Sequence, residues 1–285
     1  VAAFLAALVV ALAWPQLPSL EILTDYQPKV PLRVYTADGA LIAEFGEERR
    51  SVVSIREVPE VLKLAILAAE DERFYQHTGV DYLGVARAAF ANLVHGGRRQ
   101  GASTITMQVA RNFFLTSEKT LTRKLYEALL AFKIENNLTK DQILELYINQ
   151  IYLGQRAYGF AAAAQIYFGK PLERLTLAEA AVLAGLPKAP SAYNPVANPQ
   201  RARQRQQYVL RRMKELGHIS EAQYAEALSA PLQVRRAAED SAGVRADHLA
   251  EMVRQALYEQ YGEATYSRGF RVYTTVRRAE QEAAY

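Results

Sequence analysis

Cysteine is absent from this sequence of 285 residues. A chain without cysteine has no disulfide, no cysteine-ligated zinc or iron–sulfur site and no thiol nucleophile. Histidine is scarce too, because only four are present and no two have the H-x-x-x-H spacing of a multi-histidine zinc site. The 15 glycines and 11 prolines are too few for a low-complexity or collagen-like tract.

Charge of one sign is in small excess, with 34 basic and 30 acidic residues and a formal net charge of +4. Such an excess favours anionic partners only weakly. Half of the residues are hydrophobic and 22% are charged, which is ordinary globular composition. The length fits one large domain or two small ones.

The first fourteen residues, VAAFLAALVVALAW, carry no charge. A membrane-spanning helix needs about 20 apolar residues, so we interpret this run as the outer part of a transmembrane helix whose start is missing. Trp14 then lies at the membrane interface, and Pro15 and Pro18 end the helix. A signal-peptide core or a buried helix of the folded domain are the alternatives.

Two segments predict strands. Residues 32–55 are rich in β-branched and aromatic residues around Asp38 and Gly39, which indicates a hairpin. Residues 269–276, GFRVYTTV, predict a further strand and repeat the tetrapeptide RVYT of residues 33–36. We expect both segments at the edges of one small sheet.

Residues 59–228 have a helical pattern, so the predicted fold class is mainly α, with about eight helices and a minor β element. Pro59 suits a first helical position, and the run to Ala69 is apolar on nearly every face, which predicts a buried helix. Capping boxes predict three later helix starts, at Thr139 with Gln142, Thr176 with Glu179, and Ser220 with Gln223.

The buried helix delivers two adjacent carboxylates, Glu70 and Asp71, to its carboxyl end, in AAEDERFYQHTGVD. Burial and the negative pole of the helix dipole both disfavour a charged carboxylate and raise its pKa. A raised pKa suits a general acid or base near neutral pH. The alternative is a solvated helix end with Glu70 paired to Arg73.

A glycine-rich basic loop precedes a second helix, in HGGRRQGASTITMQVARN. Ser103 or Thr104 can cap this helix, and its free N–H groups would bind an anion. A polar stripe suited to phosphate and sugar hydroxyls follows, although an ordinary amphipathic helix has the same pattern. The stripe consists of Thr104, Gln108, Arg111 and Asn112.

Three further segments are weak signals when taken singly. Arg123 and Glu127, in RKLYE, could form a simple surface pair. The segment KDQILELYINQIYLG predicts an amphipathic helix. The basic segment RARQRQQYVLRRM, residues 201–213, could face anionic lipid, a pyrophosphate or water.

Five of these segments together resemble the sequence motifs of the peptidoglycan glycosyltransferases, family 51 of the glycosyltransferases. In order they are EDERFYQHTG, GASTITMQ, RKLYE, KDQILELYIN and RQQYVL. The family occurs as monofunctional enzymes and as the first domain of class A penicillin-binding proteins. The resemblance covers about residues 32–230 and implies a lysozyme-like helical fold.

The resemblance also divides the chain. Residues 1–18 become a truncated transmembrane helix and 19–56 a β-hairpin linker. Residues 57–230 become the glycosyltransferase domain, and 231–285 lead toward a missing transpeptidase domain. No S-x-x-K or K-T-G motif occurs, so a transpeptidase site is excluded from this chain.

The implied substrate is lipid II, a disaccharide-peptide on a polyprenyl pyrophosphate. The growing glycan is the donor and lipid II the acceptor, on the outer face of the cytoplasmic membrane. Glu70 matches the presumed general base, and Glu127 matches a second glutamate assigned to the donor side. Other cell-wall synthesis proteins are candidate partners, and nucleic acid is not expected.

Further positions match by motif. Those that line the donor groove and neutralise its pyrophosphate are Ser103, Thr104, Gln108, Arg111, Asn112, Arg123 and Lys124. Phe74 and His77 match first-motif positions that shape the active centre, and Lys188 and Ser191 match a loop on the acceptor side. Asp71, in the same first motif, is a further candidate substrate-binding residue. Met107 stands where the family often has a glutamine.

A single displacement at an α-linked anomeric carbon gives a β link, so one base is enough, as in inverting glycosidases. No cofactor is required, although a divalent cation, Mg²⁺ or Mn²⁺, could assist the pyrophosphate. The competing functions are a lysozyme-like lytic enzyme and a non-catalytic membrane scaffold. The apolar amino-terminal run argues against a nucleic-acid binder.

Overall fold

The structure, a computed structural model, describes residues 11, 13–24, 28–87, 103–115, 120–235 and 246–284. Helices dominate these ranges, which confirms the mainly α prediction. Within them no helix is both long enough and apolar enough to cross a membrane. Most of the predicted anchor, and the glycine-rich loop before Ser103, lie outside the described residues.

The helices of the described residues occur along most of the chain, with short strands between some of them. They are α1 (Glu21–Thr24), α2 (Glu60–Glu70), α3 (Ile105–Phe114), α4 (Leu121–Glu135), α5 (Lys140–Gln150), α6 (Phe160–Phe168), α7 (Leu177–Gly185), α8 (Pro199–Glu215), α9 (Glu221–Ser229), α10 (Asp247–Tyr261) and α11 (Arg278–Ala284). Residues 82–87 are also helical. The described strands are β1 (Leu32–Tyr35), β2 (Leu41–Phe45), β3 (Arg49–Arg50), β4 (Ala157–Tyr158) and β5 (Arg271–Tyr273).

The chain divides into two compact units. The first comprises the described parts of Val1–Tyr26, Val53–Ile151 and Gln207–Leu228, and the second those of Gln27–Val52, Tyr152–Gln206 and Ser229–Tyr285. Each unit is a body with its own buried side chains. The first unit holds the segments that match the donor-side motifs, where the structure describes them.

The core of the first unit is built around α2, whose apolar faces predicted burial. Leu62, Ala65 and Ile66 of this helix are fully buried, as expected. Pro59 is the residue before the helix rather than its first residue, because its ψ of 141° is not helical. Nearby, α3 packs against both α4 and α5.

All three predicted capping boxes are formed. The Thr139 hydroxyl accepts from the Gln142 N–H while the Gln142 side chain accepts from the Thr139 N–H, and Thr176 with Glu179 does the same. Ser220 and Gln223 exchange the same two hydrogen bonds, of 2.8 and 3.2 Å. Each box satisfies two backbone N–H groups that a helix start leaves unpaired.

The second unit contains a three-stranded sheet with the order β2-β1-β5. The predicted hairpin is present, since β1 pairs antiparallel with β2. The two copies of RVYT pair with each other in parallel and in register, with Arg33 opposite Arg271 and Tyr35 opposite Tyr273. The prediction that both segments lie at sheet edges is therefore wrong for β1, which is the central strand.

Gly79 lies where the loop after α2 approaches α4. Its φ is +91°, and a Cβ added there would lie 3.0 Å from backbone atoms of Ala131. Its carbonyl oxygen accepts a hydrogen bond of 2.6 Å from the Thr104 hydroxyl, just before α3. A side chain at this position would therefore disturb the junction of three segments.

Replacing Gly79 by Ala should lower the free energy of unfolding by more than the same change at Gly39. Both residues have positive φ, which costs a residue with a side chain about 1–3 kcal/mol. A Cβ at Gly39 meets no atom within 4 Å. The added clash at Gly79 should cost a further 1–3 kcal/mol or so, as overpacking typically does. Urea denaturation of both variants measures the difference, and equal losses would contradict a close approach at Gly79.

Candidate active site

Glu70 is the last residue of α2, and its half-buried side chain meets a residue of α3. The Gln108 side-chain amide donates a hydrogen bond of 2.9 Å from Nε2 to Oε2 of Glu70. This bond joins two of the predicted site residues, from the first and second motifs. An amide that donates to one carboxylate oxygen fixes the orientation of the whole group.

Asp71, the next residue, is buried and turns toward the start of α3. Its Oδ2 accepts a hydrogen bond of 3.0 Å from the backbone N–H of Ile105, and both of its oxygens lie 3.0 Å from Nε2 of His77. The Thr104 hydroxyl caps the same helix by accepting from the Met107 N–H. The sequence predicts that the start of this helix binds an anion. The carboxylate of Asp71 already takes up one of the N–H groups that such an anion would use.

Glu127 is fully buried, with no exposed side-chain surface. Its two oxygens pair with the side chains of Arg123, at 3.1 Å, and of Lys124. Lys124 also donates a hydrogen bond of 2.8 Å to the hydroxyl of Ser103, beside α3. The surface pair that the spacing allowed is therefore a buried carboxylate beneath two cations, and it links the second and third motifs.

The side chain of Lys124 is 42% exposed, whereas that of Arg123 is 13% exposed. A half-exposed cation held by a buried counter-ion can bind a second anion on its open side. This arrangement suits a phosphate better than a sugar hydroxyl, since the interaction with a charged group is stronger.

The predicted polar stripe of α3 does not form one exposed face. Thr104 and Gln108 are buried, Arg111 is half-buried and Asn112 is exposed. Met107, which departs from the family pattern, is buried with the apolar residues of this helix. The α3 residues therefore divide into a packed part near Glu70 and an accessible part near its carboxyl end.

Phe74 and His77 are buried behind the carboxylates. Their rings pack edge to face, with centroids 6.2 Å apart. His77 in turn contacts the carboxylate of Asp71, which accepts from the first residue of α3, so these side chains form a chain of contacts that ends at the start of that helix. Sequence reasoning could not separate such a supporting role from direct contact with a ligand.

Lys188 and Ser191 lie in the second unit and are both exposed. Their loop is shaped by Asn194, whose buried side chain accepts hydrogen bonds of 2.9 and 3.1 Å from the N–H groups of Val196 and Ala197. These two hydrogen bonds shape the loop and involve neither Lys188 nor Ser191. Its signal was Asn before Pro, which favours a turn of this kind.

The basic helix α8 uses its charges in different ways. Arg205 is buried in the second unit, where its guanidinium lies 5.9 Å from the ring centroid of Tyr193. Arg212 pairs within the first unit with Glu72, a residue of the first motif. The sequence predicts neither role, because a run of basic residues does not reveal which side chains fold against it.

Asn149, near the end of the fourth motif, has a structural role. Its side chain accepts from the Val53 N–H at 3.0 Å and donates to the Val53 carbonyl at 2.8 Å. Within the described ranges, no group of three or more His, Asp or Glu side chains is placed to hold a metal ion.

Comparison with known proteins gives consistent results. A family described as "Transglycosylase" matches residues 38–214. The chain is 59% identical over 280 residues to penicillin-binding protein 1A of Neisseria cinerea, covering 98% of this chain and 35% of that protein. It is 50% identical over 270 residues to penicillin-binding protein 1A of Escherichia coli strain K12, covering 95% of this chain and 32% of the relative.

A solved structure is also similar. The crystal structure of penicillin-binding protein 1A from Haemophilus influenzae aligns with a TM-score of 0.51 and 34% identity, over 90% of this chain and 28% of that one. The chain thus spans about a third of the length of the curated relatives it matches. On the extent of the family match and the identity to these relatives, the chain belongs to the transglycosylase family, the peptidoglycan glycosyltransferases found in class A penicillin-binding proteins.

Proposed function

We propose that this chain polymerises lipid II into glycan strands. The observation that carries the proposal is that the unit holding the first four motifs contains two separate groups. One is a carboxylate held by a hydrogen bond, Glu70, and the other is a lysine with a partly exposed side chain, Lys124, which pairs with the buried Glu127. A transferase that expels a pyrophosphate needs both groups. A lytic enzyme of lysozyme type needs the carboxylate but no cation for a phosphate.

The proposed reaction is a single inverting displacement. Glu70 takes the proton of the acceptor hydroxyl, whose oxygen attacks the anomeric carbon of the donor. The bond from that carbon to the pyrophosphate oxygen breaks, and the polyprenyl pyrophosphate leaves with the electron pair. Gln108 holds the Glu70 carboxylate in one orientation, which keeps the base within reach of the hydroxyl.

Side chains, more than backbone N–H groups, are proposed to stabilise the leaving pyrophosphate. Asp71 already occupies the Ile105 N–H, and Thr104 occupies the Met107 N–H. Lys124 and Arg123 are therefore the main candidates, with Arg111 further along α3. Glu127 acts through the two cations that it holds, because its own side chain is fully buried.

A divalent cation is compatible with this proposal only as a partner of the substrate. Mg²⁺ and Mn²⁺ are commonly bound through substrate phosphates and one or two carboxylates, with water completing the shell. Such an ion would be held mostly by the pyrophosphate oxygens. Exposed Lys188 and Ser191 are proposed to bind the acceptor.

We further propose that the lysozyme-like domain works on the outer face of the cytoplasmic membrane. The supporting observations are the uncharged run of residues 1–14 and the partly exposed Trp14 that follows most of it. Aromatic residues of this kind favour the membrane interface. Lipid II, the glycan strand and the membrane are the proposed partners, with other cell-wall synthesis proteins as candidates.

Replacing Glu70 by Gln should abolish most polymerisation of labelled lipid II. The amide keeps the size of the carboxylate but cannot accept the proton, and loss of a general base typically costs about 100- to 10,000-fold in rate. Glu60→Gln is the matched control, because Glu60 lies exposed in the first turn of the same helix. Near-normal polymer formation by Glu70→Gln would reject Glu70 as the base, and release of short fragments from finished cell wall would favour the lytic enzyme.

Replacing Lys124 by Met should weaken binding of a pyrophosphate-containing donor analogue and also slow turnover. A hydrogen bond to a charged group contributes about 1.5–3 kcal/mol, which corresponds to roughly 10- to 150-fold in affinity. Lys63→Met is the control, since Lys63 pairs with exposed Glu60 on α2. Calorimetric titration measures the affinity, and an unchanged value would place the pyrophosphate away from Lys124.

A further inference from the structure

A largely buried ion pair that the reaction scheme does not use lies between three helices of the first unit. Glu135, the last residue of α4, accepts a hydrogen bond of 2.6 Å from Nζ of Lys140, the first residue of α5. The same oxygen, Oε1, lies 2.6 Å from the hydroxyl of Thr106, which donates to it from the first turn of α3. The exposed fraction of the Glu135 side chain is only 7%.

The pair also contacts the first motif. Nζ of Lys140 lies 4.4 Å from the ring centroid of Phe74, which is a cation–π contact. Phe74 packs against His77, His77 contacts the carboxylate of Asp71, and Asp71 accepts from the Ile105 N–H. Because Ile105 precedes Thr106, these contacts close on themselves around the start of α3.

We call this closed set the α3 ring; its side chains are Asp71, Phe74, His77, Thr106, Glu135 and Lys140. Two of its contacts hold consecutive residues of α3 from different directions. Asp71 holds Ile105 from the end of α2, and Glu135 holds Thr106 from the end of α4. Two such contacts fix both the depth and the rotation of the first turn.

We propose that Glu135 and Lys140 are positioning residues for Glu70, acting through α3. Gln108 follows Thr106 by two residues, so a shift of the first turn of α3 changes the hydrogen bond from Gln108 to Glu70. The proposal rests on the proposed function, since it assigns Glu70 the role of base. Neither residue contacts Glu70 through a hydrogen bond of its own in the described contacts.

A gain in the stability of the fold does not by itself explain why this ion pair lies inside the protein. Removing two charges from water costs free energy that their attraction often fails to return, and apolar replacements of buried pairs are often neutral or stabilising. The pair instead fixes the orientation of α3 relative to α5, because one carboxylate oxygen of Glu135 accepts from donors on both helices. Misplacement of a reacting group by about 1 Å can cost about 100-fold in rate.

The test replaces both charges at once, by Lys140→Met with Glu135→Gln, so that no buried charge is left unpaired. The matched control is Lys170→Met with Glu179→Gln in the second unit, where a buried carboxylate also pairs with a lysine, at 2.7 Å. Glutamine at 179 preserves the capping box with Thr176. Polymerisation of lipid II is followed in the full chain.

We expect kcat to fall by about 10- to 100-fold in the α3-ring double variant, with KM within about twofold of the original. The control should keep both constants within about twofold. Lys140→Arg should retain most activity, because the guanidinium keeps a positive charge against the Phe74 ring. Thr106→Val removes only the contact to α3 and should lower kcat as well, even if the double variant folds poorly.

Amide hydrogen exchange at residues 105–108 supplies a measurement independent of activity. Exchange there should be faster in the α3-ring double variant and in Thr106→Val, and unchanged in the control. Normal kcat with normal exchange in these variants would overturn the positioning role. If the unaltered chain makes no polymer, the proposed function fails, and unchanged exchange would separately refute the α3 ring as a support of that helix.

Discussion

The hydrogen bond from the Ile105 N–H to the buried carboxylate of Asp71 is the contact on which the first unit depends. It joins the end of one helix to the start of another that is distant in sequence. Because Asp71 is adjacent to Glu70 and Ile105 lies in the same helical turn as Gln108, this contact brings Glu70 and Gln108 together. A buried carboxylate needs such donors, since burial without them is costly.

The features that the sequence predicted well are local ones. A capping box is decided by residues three apart, and a two-stranded hairpin by the turn at Asp38 and Gly39, so both followed from short patterns. The burial of α2 followed from the lack of polar residues around the helix. The predicted start of α2, at Pro59, is nevertheless one residue too early. A proline fits the position before a helix as well as its first turn.

The features that could not be predicted depend on contacts between distant segments. The pattern of RKLYE gives the spacing of Arg123 and Glu127 but not the depth at which they lie, and the structure places Glu127 fully inside. The sequence likewise gave no sign that Asp71 would occupy the helix start proposed for a phosphate. Individual site residues could be named from motifs, whereas the division between contact and support required the fold.

The parallel pairing of the two RVYT copies has a consequence for synthesis of the chain. Arg33 cannot pair with Arg271 until that residue has been synthesised. At typical rates of translation, synthesis of the intervening residues takes roughly 10–50 seconds. During that interval one side of β1 is an open edge that could pair with another chain. The ion pair of 2.8 Å between Arg33 and Glu44 places charge on both strands of the waiting hairpin. Charges on an exposed strand disfavour such pairing. The hairpin of β1 and β2 is therefore less prone to aggregate before β5 has been synthesised.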